Sequence, residues 1–590
     1  MPAAAGSPGP RQRRGLAALL VSMVAAGLLA GCDRGQPPQP AAVRGLDAAS
    51  TASRAVSAAP GGTLRLVTGA VDSLDPARSY APGVWNVMRL YTRQLVTYAT
   101  RPGDAGTRVV PDLATSLGQT SDGGRTWTYR LRPGLRWDDG RPVTARDVKY
   151  GVERAFASDL LAGGPTWLVG LLDEHAEPYD GPYRDRTPGR LGLPSVTTPD
   201  PATVVFRLVR PFAEFDKVLA LPGSTPVPAD RDPGAGYGAR PASLGPYQVS
   251  GPDRRGVLVF TRNRFWSRAT DPVRAALPDR VELAANLLPA ERDRRLLAGQ
   301  ADADVSGSGL QPEGAATVFA DPALTARADD PTTGTLRLLA MPSAVQPFGN
   351  VHCRRAVQYA VDKAAMKDGV GGARAAAVAT TLWPRTLPGY PAVAPYPGGE
   401  GNHGDEAAAR AELARCGRPD GFAVNLAVLA DGRGPVCADA TARALARVGI
   451  RVTVRRYPRS QFRSVVAGAP AVVRGDRLGL ILADWSADFP SPYAFLVPLA
   501  DSRSVRASGN PNLAELGDAA LEQAVDEATA TIDPVQQTAA WRAMETLVMQ
   551  AASYVPLLED RALLLASARL RNVYVQPVYH GYDVVSLGVS

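Results

Sequence analysis

The stretch FAVNLAVLADGRGPVCADATARALARVGIRVTV, residues 422–454, establishes the class of this fold. Phe422, Val424, Leu426 and Val428 recur at the two-residue period of a strand. A helix is expected over about 438–448, closed by Gly449 in left-handed backbone past its last turn. Ile450, Val452 and Val454 then alternate again. Strand, helix, strand at these lengths is a βαβ unit. Its crossover returns the chain to the same end of the sheet, so the two strands run parallel.

The mixed pattern continues outward. Upstream, residues 63–68 alternate as a strand and a helix is expected over 84–95. Trp127, Tyr129 and Leu131 alternate after the turn-rich Ser121-Asp122-Gly123-Gly124. Thr144 precedes Asp147 by three residues, which predicts a capped helix carrying Val148, Val152 and Phe156 on one face. Val204, Phe206 and Leu208 form another strand, and Tyr247, Val249 and 257–260 a hairpin. Ala356, Val357, Ala360, Val361 and Ala364 make one helical stripe. Downstream, one long helix is expected over 519–550, interrupted near Asp533-Pro534. No repeat of solenoid period is visible.

The chain begins with Arg11, Arg13 and Arg14, an apolar run over 16–29, and Leu29-Ala30-Gly31-Cys32. Basic segment, apolar segment and small-residue site together make a secretory signal. The run is shorter than the roughly 20 residues of a membrane span. Leu29-Ala30-Gly31-Cys32 resembles the lipobox of bacterial lipoproteins, which implies that Cys32 is acylated and becomes the mature N-terminus. The expected location is therefore outside the cytoplasm, held at the cell membrane by lipid. Residues 33–60 are rich in Ala, Pro, Gln, Ser and Gly and are expected to form a flexible stalk.

The net charge of +8 is carried almost wholly by Arg, with no basic block interleaved with aromatics, so nucleic acid is not an expected partner. Four cysteines are present, and an exported location permits disulfides. With Cys32 set aside, Cys353, Cys416 and Cys437 allow one bridge and one leftover, or three free thiols; the spacing does not choose.

Enzyme signatures are missing. No Lys follows a Gly, so no Walker-type phosphate loop can be drawn. His175, His352, His403 and His580 are scattered, without an H-E-x-x-H pair. There is no G-x-S-x-G elbow. No catalytic residue, cofactor or metal site is expected.

A chain of short segments nevertheless lines up with one family. Gly61-Gly62-Thr63-Leu64 leads to Asp72-Ser73-Leu74-Asp75-Pro76. Pro111-Asp112-Leu113-Ala114 is followed by WTYRLRPGLRWDDG at 127–140 and VTARDV at 143–148. Gly245-Pro246-Tyr247, Asn263-Arg264-Phe265-Trp266 and LAGQAD at 297–302 come next, then 354–363, 445–452, 484–492 and Tyr554-Val555-Pro556-Leu557. In this order they resemble the extracellular solute-binding proteins of family 5, the peptide, dipeptide and nickel receptors of ABC importers. The resemblance implies an α/β, two-lobed periplasmic-binding-protein-like (type II) fold with an additional small domain. Its expected parts are a signal at 1–31, a stalk at 32–60 and lobe I at 61–97, 212–334 and 549–590. The small domain is expected at 98–211 and lobe II at 335–548.

The same resemblance implies a monomeric receptor that captures di- or oligopeptides between its lobes and hands them to a membrane permease. Another cargo (oligosaccharide, nickel chelate, an opine-like compound), a sensor role and a secreted hydrolase are the alternatives. In the family's oligopeptide receptors an Asp after a Gly-Trp-x-x motif holds the ligand's α-ammonium. Here the matching run is Asp484-Trp485-Ser486-Ala487-Asp488, which gives Asp488 that role and makes Trp485 and Ser486 its neighbours in the site. The Gly of the motif is Asp484 in this chain, an extra carboxylate that would favour a more cationic ligand. Tyr80, Ala81 and Pro82, after D-S-L-D-P, are expected on the other wall. By residue type alone, Asp488 also fits a turn into Phe489-Pro490, and Tyr80 a packed ring.

Overall fold

The computed structural model describes residues 46–173 and 179–590. The signal, Cys32 and the first part of the expected stalk lie outside the described residues.

The 422–454 unit folds in parallel. Strands Ala423–Leu429 and Arg451–Tyr457 pair from Ala423↔Arg451 to Leu429↔Tyr457. Gly449 sits at φ +89°, in the left-handed backbone a helix cap requires. The intervening helix starts at Gly434 rather than near 438, with Pro435 in its first turn, where the missing N–H breaks no intrahelical bond. This unit is one side of a six-stranded sheet ordered 376–378, 554–561, 332–340, 478–485, 423–429, 451–457. Leu478–Trp485 joins it parallel to Ala423–Leu429 and antiparallel to Thr332–Ala340.

A five-stranded sheet, ordered 303–304, 63–67, 280–284, 258–262, 247–252, organises the other lobe. Thr63–Val67 runs parallel to both its neighbours, and Tyr247–Pro252 with Leu258–Arg262 is the expected hairpin. A third, three-stranded antiparallel sheet holds Thr126–Arg130, Thr203–Arg207 and Val196–Asp200. It is backed by helix Ala145–Glu153, whose Thr144 and Asp147 form the expected reciprocal cap. The two large sheets are joined where Ala328–Asp329, entering the six-stranded sheet, pairs antiparallel with Leu564–Leu565, leaving it.

Three expectations are corrected. Residues 46–60 are not a loose stalk: Ala49 is fully buried and its N–H donates to Asp329 (2.9 Å), while Arg54 forms an ion pair with Asp329. A polar, small-residue composition did not reveal these few specific anchors. Tyr554–Arg561 belongs to the six-stranded sheet, so the chain returns to the other lobe after Arg561 and not at 549. The helix expected over 84–95 is only Pro82–Met88. Beyond it the Leu90 carbonyl accepts from Tyr247 N–H (3.0 Å) and the Tyr91 carbonyl from Leu244 and Gly245 N–H (2.9 Å each), which takes the acceptors a longer helix would use. The long C-terminal helix does break as expected, into Ala519–Ala530 and Pro534–Ala551, with Asp533 capping the second.

Two of the three remaining cysteines pair. Cys353 bonds to Cys416, tying helix Val351–Ala360 to the end of helix Glu406–Arg415, and Cys437 is buried and free.

Candidate functional site

The loop before helix Pro82–Met88 is wound around Asp72. One carboxylate oxygen accepts from Ser79 Oγ (2.9 Å) and the other from Tyr80 N–H (2.6 Å). Trp85 Nε1 donates to the Ser79 carbonyl (3.0 Å), and Pro82 opens the helix behind it. The loop therefore presents Tyr80 outward, with 48% of its surface exposed. From the small domain, Gly163-Gly164 packs directly on this loop. A Cβ on Gly164 would lie 2.1 Å from the Ala77 carbonyl oxygen, so only glycine permits the approach. That contact sets helix Trp167–Leu172 beside Tyr80.

The third component is the segment between strand Leu478–Trp485 and helix Pro492–Ala500. Ser491 Oγ caps that helix by accepting from Tyr493 N–H (3.0 Å) and bonds to Glu214 across the interface. Lys217 Nζ donates to the Pro490 carbonyl (3.1 Å). Phe489 and Tyr493 pack on Trp167, with ring centroids 5.4 and 5.5 Å away. The segment is thus pinned at its far end, and Asp488 is held in front of it.

These elements converge on one carboxylate. Asp488 Oδ2 accepts from Trp167 Nε1 (2.7 Å) and from the Tyr80 hydroxyl. No ion pair to Asp488 exists among the described residues. Burial pushes its carboxyl above the ordinary aspartate range, against the opposing pull of the two hydrogen bonds. Although much of the Tyr80 ring is exposed, burial around its hydroxyl end, with Asp488 alongside, pushes that hydroxyl well up, so it stays a donor.

A cavity of about 520 Å³ opens next to this cluster, walled by Trp167, Trp485, Tyr493, Phe462 and the charged side chains of Arg463 and Asp484. The Trp485 indole is oriented by donating to the Phe495 carbonyl (3.1 Å). Asp484 is already paired with Arg463 at 3.0 Å. Although burial raises its carboxyl, Arg463 and Arg337 more than offset this and hold it below the usual value. Its charge is spent inside the protein, which removes the sequence argument for a more cationic ligand. Arg506, also on the cavity wall, is exposed and has no carboxylate partner among the described residues.

Of the six residues named from sequence, the structure brings Tyr80 and Asp488 into contact and puts Trp485 in the cavity wall. Ala81, Pro82 and Ser486 are half-buried, and none of the three lines the cavity; Tyr80 and Asp488 also lie outside its lining and meet it only through Trp167, which is part of the wall. Sequence reading missed Trp167, Arg463 and Arg506. The Gly-Gly-Pro run before Trp167, a sharp turn leading into a large aromatic, was the one available signal. Among the described residues no group of three or more His, Cys, Asp or Glu is arranged to hold a metal ion, and no helix is long and apolar enough to cross a membrane.

Two sheet-centred lobes, a small third domain and a lined cavity beside a carboxylate that spans them define a two-lobed receptor of the type II binding-protein fold. The chain belongs to the bacterial extracellular solute-binding proteins, family 5, whose middle region it matches over residues 108–506. It is 25% identical over 520 residues to the probable D,D-dipeptide-binding periplasmic protein DdpA of Escherichia coli (strain K12), covering 86% of this chain and 90% of that one. It is 25% identical over 475 residues to the glutathione-binding protein GsiB of Salmonella typhi, covering 78% and 82%. Among solved structures, clavulanic acid biosynthesis oligopeptide binding protein 2 is 47% identical, with a TM-score of 0.90 over 92% of this chain and 98% of that one. DppA of Helicobacter pylori, solved with the peptide STSA, shares the fold at 19% identity and a TM-score of 0.67, covering 90% and 99%.

Proposed function

We propose that this protein is the lipid-anchored, extracytoplasmic substrate-binding subunit of an ABC importer, and that it captures short peptides and delivers them to a membrane permease. It performs no chemistry of its own. The observation that carries the reading is Asp488: a half-buried carboxylate without a cation among the described residues, gripped from across the cleft by Tyr80 and Trp167. A ligand's α-ammonium supplies the missing charge and displaces or shares the Tyr80 hydroxyl, because it adds to the hydrogen bond a charge–charge attraction that the uncharged Tyr80 and Trp167 donors lack. Trp485 offers an apolar and cation–π wall to the next residue. Arg506 offers a partner for a ligand carboxylate. The names of the relatives, which refer to dipeptide, glutathione and oligopeptide, support a peptide cargo.

The lobes proposed for closure are 61–97 with 212–330 and 562–590, and 332–561, with 98–211 as the small domain. The paired strands Ala328–Asp329 and Leu564–Leu565 would be the hinge.

Native mass spectrometry of the purified protein, before and after mild unfolding and refolding, tests the cargo. A released peptide mass supports the proposal. A sugar or metal-chelate mass keeps the receptor and overturns the cargo. For the anchor, Cys32→Ser should abolish the acyl mass increment and detergent partitioning; unchanged partitioning would reject lipidation.

A further inference from the structure

A groove of about 610 Å³, separate from the cleft, is lined by parts of 99–101, 110–111, 272–275 and 572–586, with Ser53 and Val56 on one side. Three arginines line it, Arg101, Arg132 and Arg268, and no carboxylate does. Arg101 and Arg268 are exposed and Arg132 is half-buried.

Beneath them lies a closed cluster of charge. Arg93 pairs with Asp112 (2.8 Å) and Asp271 (3.6 Å), and Arg274 with the same two carboxylates (2.9 and 3.3 Å). Two guanidiniums and two carboxylates balance there, so no negative charge is left over for the groove. Arg132 Nε donates to the Asp112 carbonyl (2.8 Å), and Arg268 Nη1 to the carbonyls of Asp271 (3.4 Å) and Arg274. These bonds orient two guanidiniums while neutralising neither. None of the three groove arginines has an ion pair among the described residues. Most neutral donors of the wall are already used: Thr100 bonds to the Val273 carbonyl, Asn572 to the carbonyls of Ser57 and Ser586, and Tyr574 and Ser586 to Asp583.

We propose that this groove binds a phosphate-bearing anion, held by charge-assisted hydrogen bonds from Arg101, Arg132 and Arg268. Three guanidiniums lining one groove without a carboxylate match the several acceptor oxygens of a phosphate group. The proposal is independent of which solute the cleft takes. Phosphate of this kind is presented by an anionic lipid headgroup or by a free phosphate, and the test separates the two.

The full chain and its R101Q/R132Q/R268Q variant are compared, with R254Q/R418Q/R443Q, three exposed arginines elsewhere, as the charge-matched control. One arm measures partition onto phosphatidylcholine vesicles with and without phosphatidylglycerol; the other measures the thermal shift in inorganic phosphate against chloride at equal ionic strength. The groove variant should lose the response, by roughly a hundredfold in vesicle partition, while the control keeps it. A phosphatidylglycerol response alone identifies the headgroup; a phosphate response alone identifies the free anion. The proposal is overturned if the native protein responds to neither, or if both variants lose equally. Arg101→Gln removes no side-chain hydrogen bond, so it keeps the test valid should the triple variant misfold. It should cost about fivefold by itself, and no loss would count against the proposal.

Discussion

At the scale of single residues, Asp488 is where the physics of the site concentrates. Its carboxyl is raised by burial, so it needs a cation to ionise comfortably. Asp488→Asn should therefore weaken binding of a free-amino peptide by about 30-fold, the worth of one charge-assisted bond, as read by calorimetry. N-acetylation of the peptide should cost as much on the native protein and little on the variant. Affinity should also fall on acidification at a higher pH than an ordinary aspartate would give. A fully enclosed acid, Glu545, allows a stability test away from the cleft. Burial pushes Glu545 up to about 7, despite bonds from Thr381, Leu382 and Trp383. The native state then holds its proton where the unfolded chain has released it, so stability falls as pH rises from about 4.5 to about 7. Glu545→Gln should remove up to roughly 3 kcal/mol of that fall, leaving pH 4 stability unchanged. A denaturant midpoint with the same pH slope as the native protein would contradict this.

Among elements, glycine contacts and covalent ties set the geometry. Gly164→Ala would drive a Cβ against the Ala77 carbonyl and push helix Trp167–Leu172 away from Tyr80. Overpacking of this kind costs about 1–3 kcal/mol. The measurable consequence is weaker peptide binding together with a lower thermal midpoint; unchanged affinity would mean that the small domain does not position the site. The Cys353–Cys416 bridge closes a loop with a sequence separation of 63. By loop-closure entropy, Cys353→Ser should cost about 4 kcal/mol in urea unfolding, and reduction of the native protein should reproduce the loss. Element types were legible because the apolar period changes from two to three or four at each boundary. Helix Pro82–Met88 was overestimated because its end is dictated by hydrogen bonds from Leu244, Gly245 and Tyr247, remote in sequence. Asp533 and Gly449 marked their helix ends correctly because both act on the backbone within a few residues.

For the whole molecule, the Tyr80–Asp488 bond joins parts of the chain 408 residues apart. If it helps hold the unliganded cleft shut, Tyr80→Phe should enlarge the radius of gyration of the peptide-free protein in X-ray scattering and leave the peptide-bound value alone. Equal profiles in the free state would assign the bond no part in closure. Sequence by itself determined the α/β class, the order of the main strands and helices, the family and the candidacy of Asp488 and Tyr80. Those follow from local periodicity, capping and short ordered motifs. Only the tertiary structure decided that Asp484 is neutralised by Arg463, that Trp167 completes the carboxylate's shell, which cysteines pair, and that residues 46–60 are docked. Each of these depends on which side chains meet across long separations, where desolvation and hydrogen-bond geometry fix a residue's charge and role, and neither can be read from the order of residues along the chain.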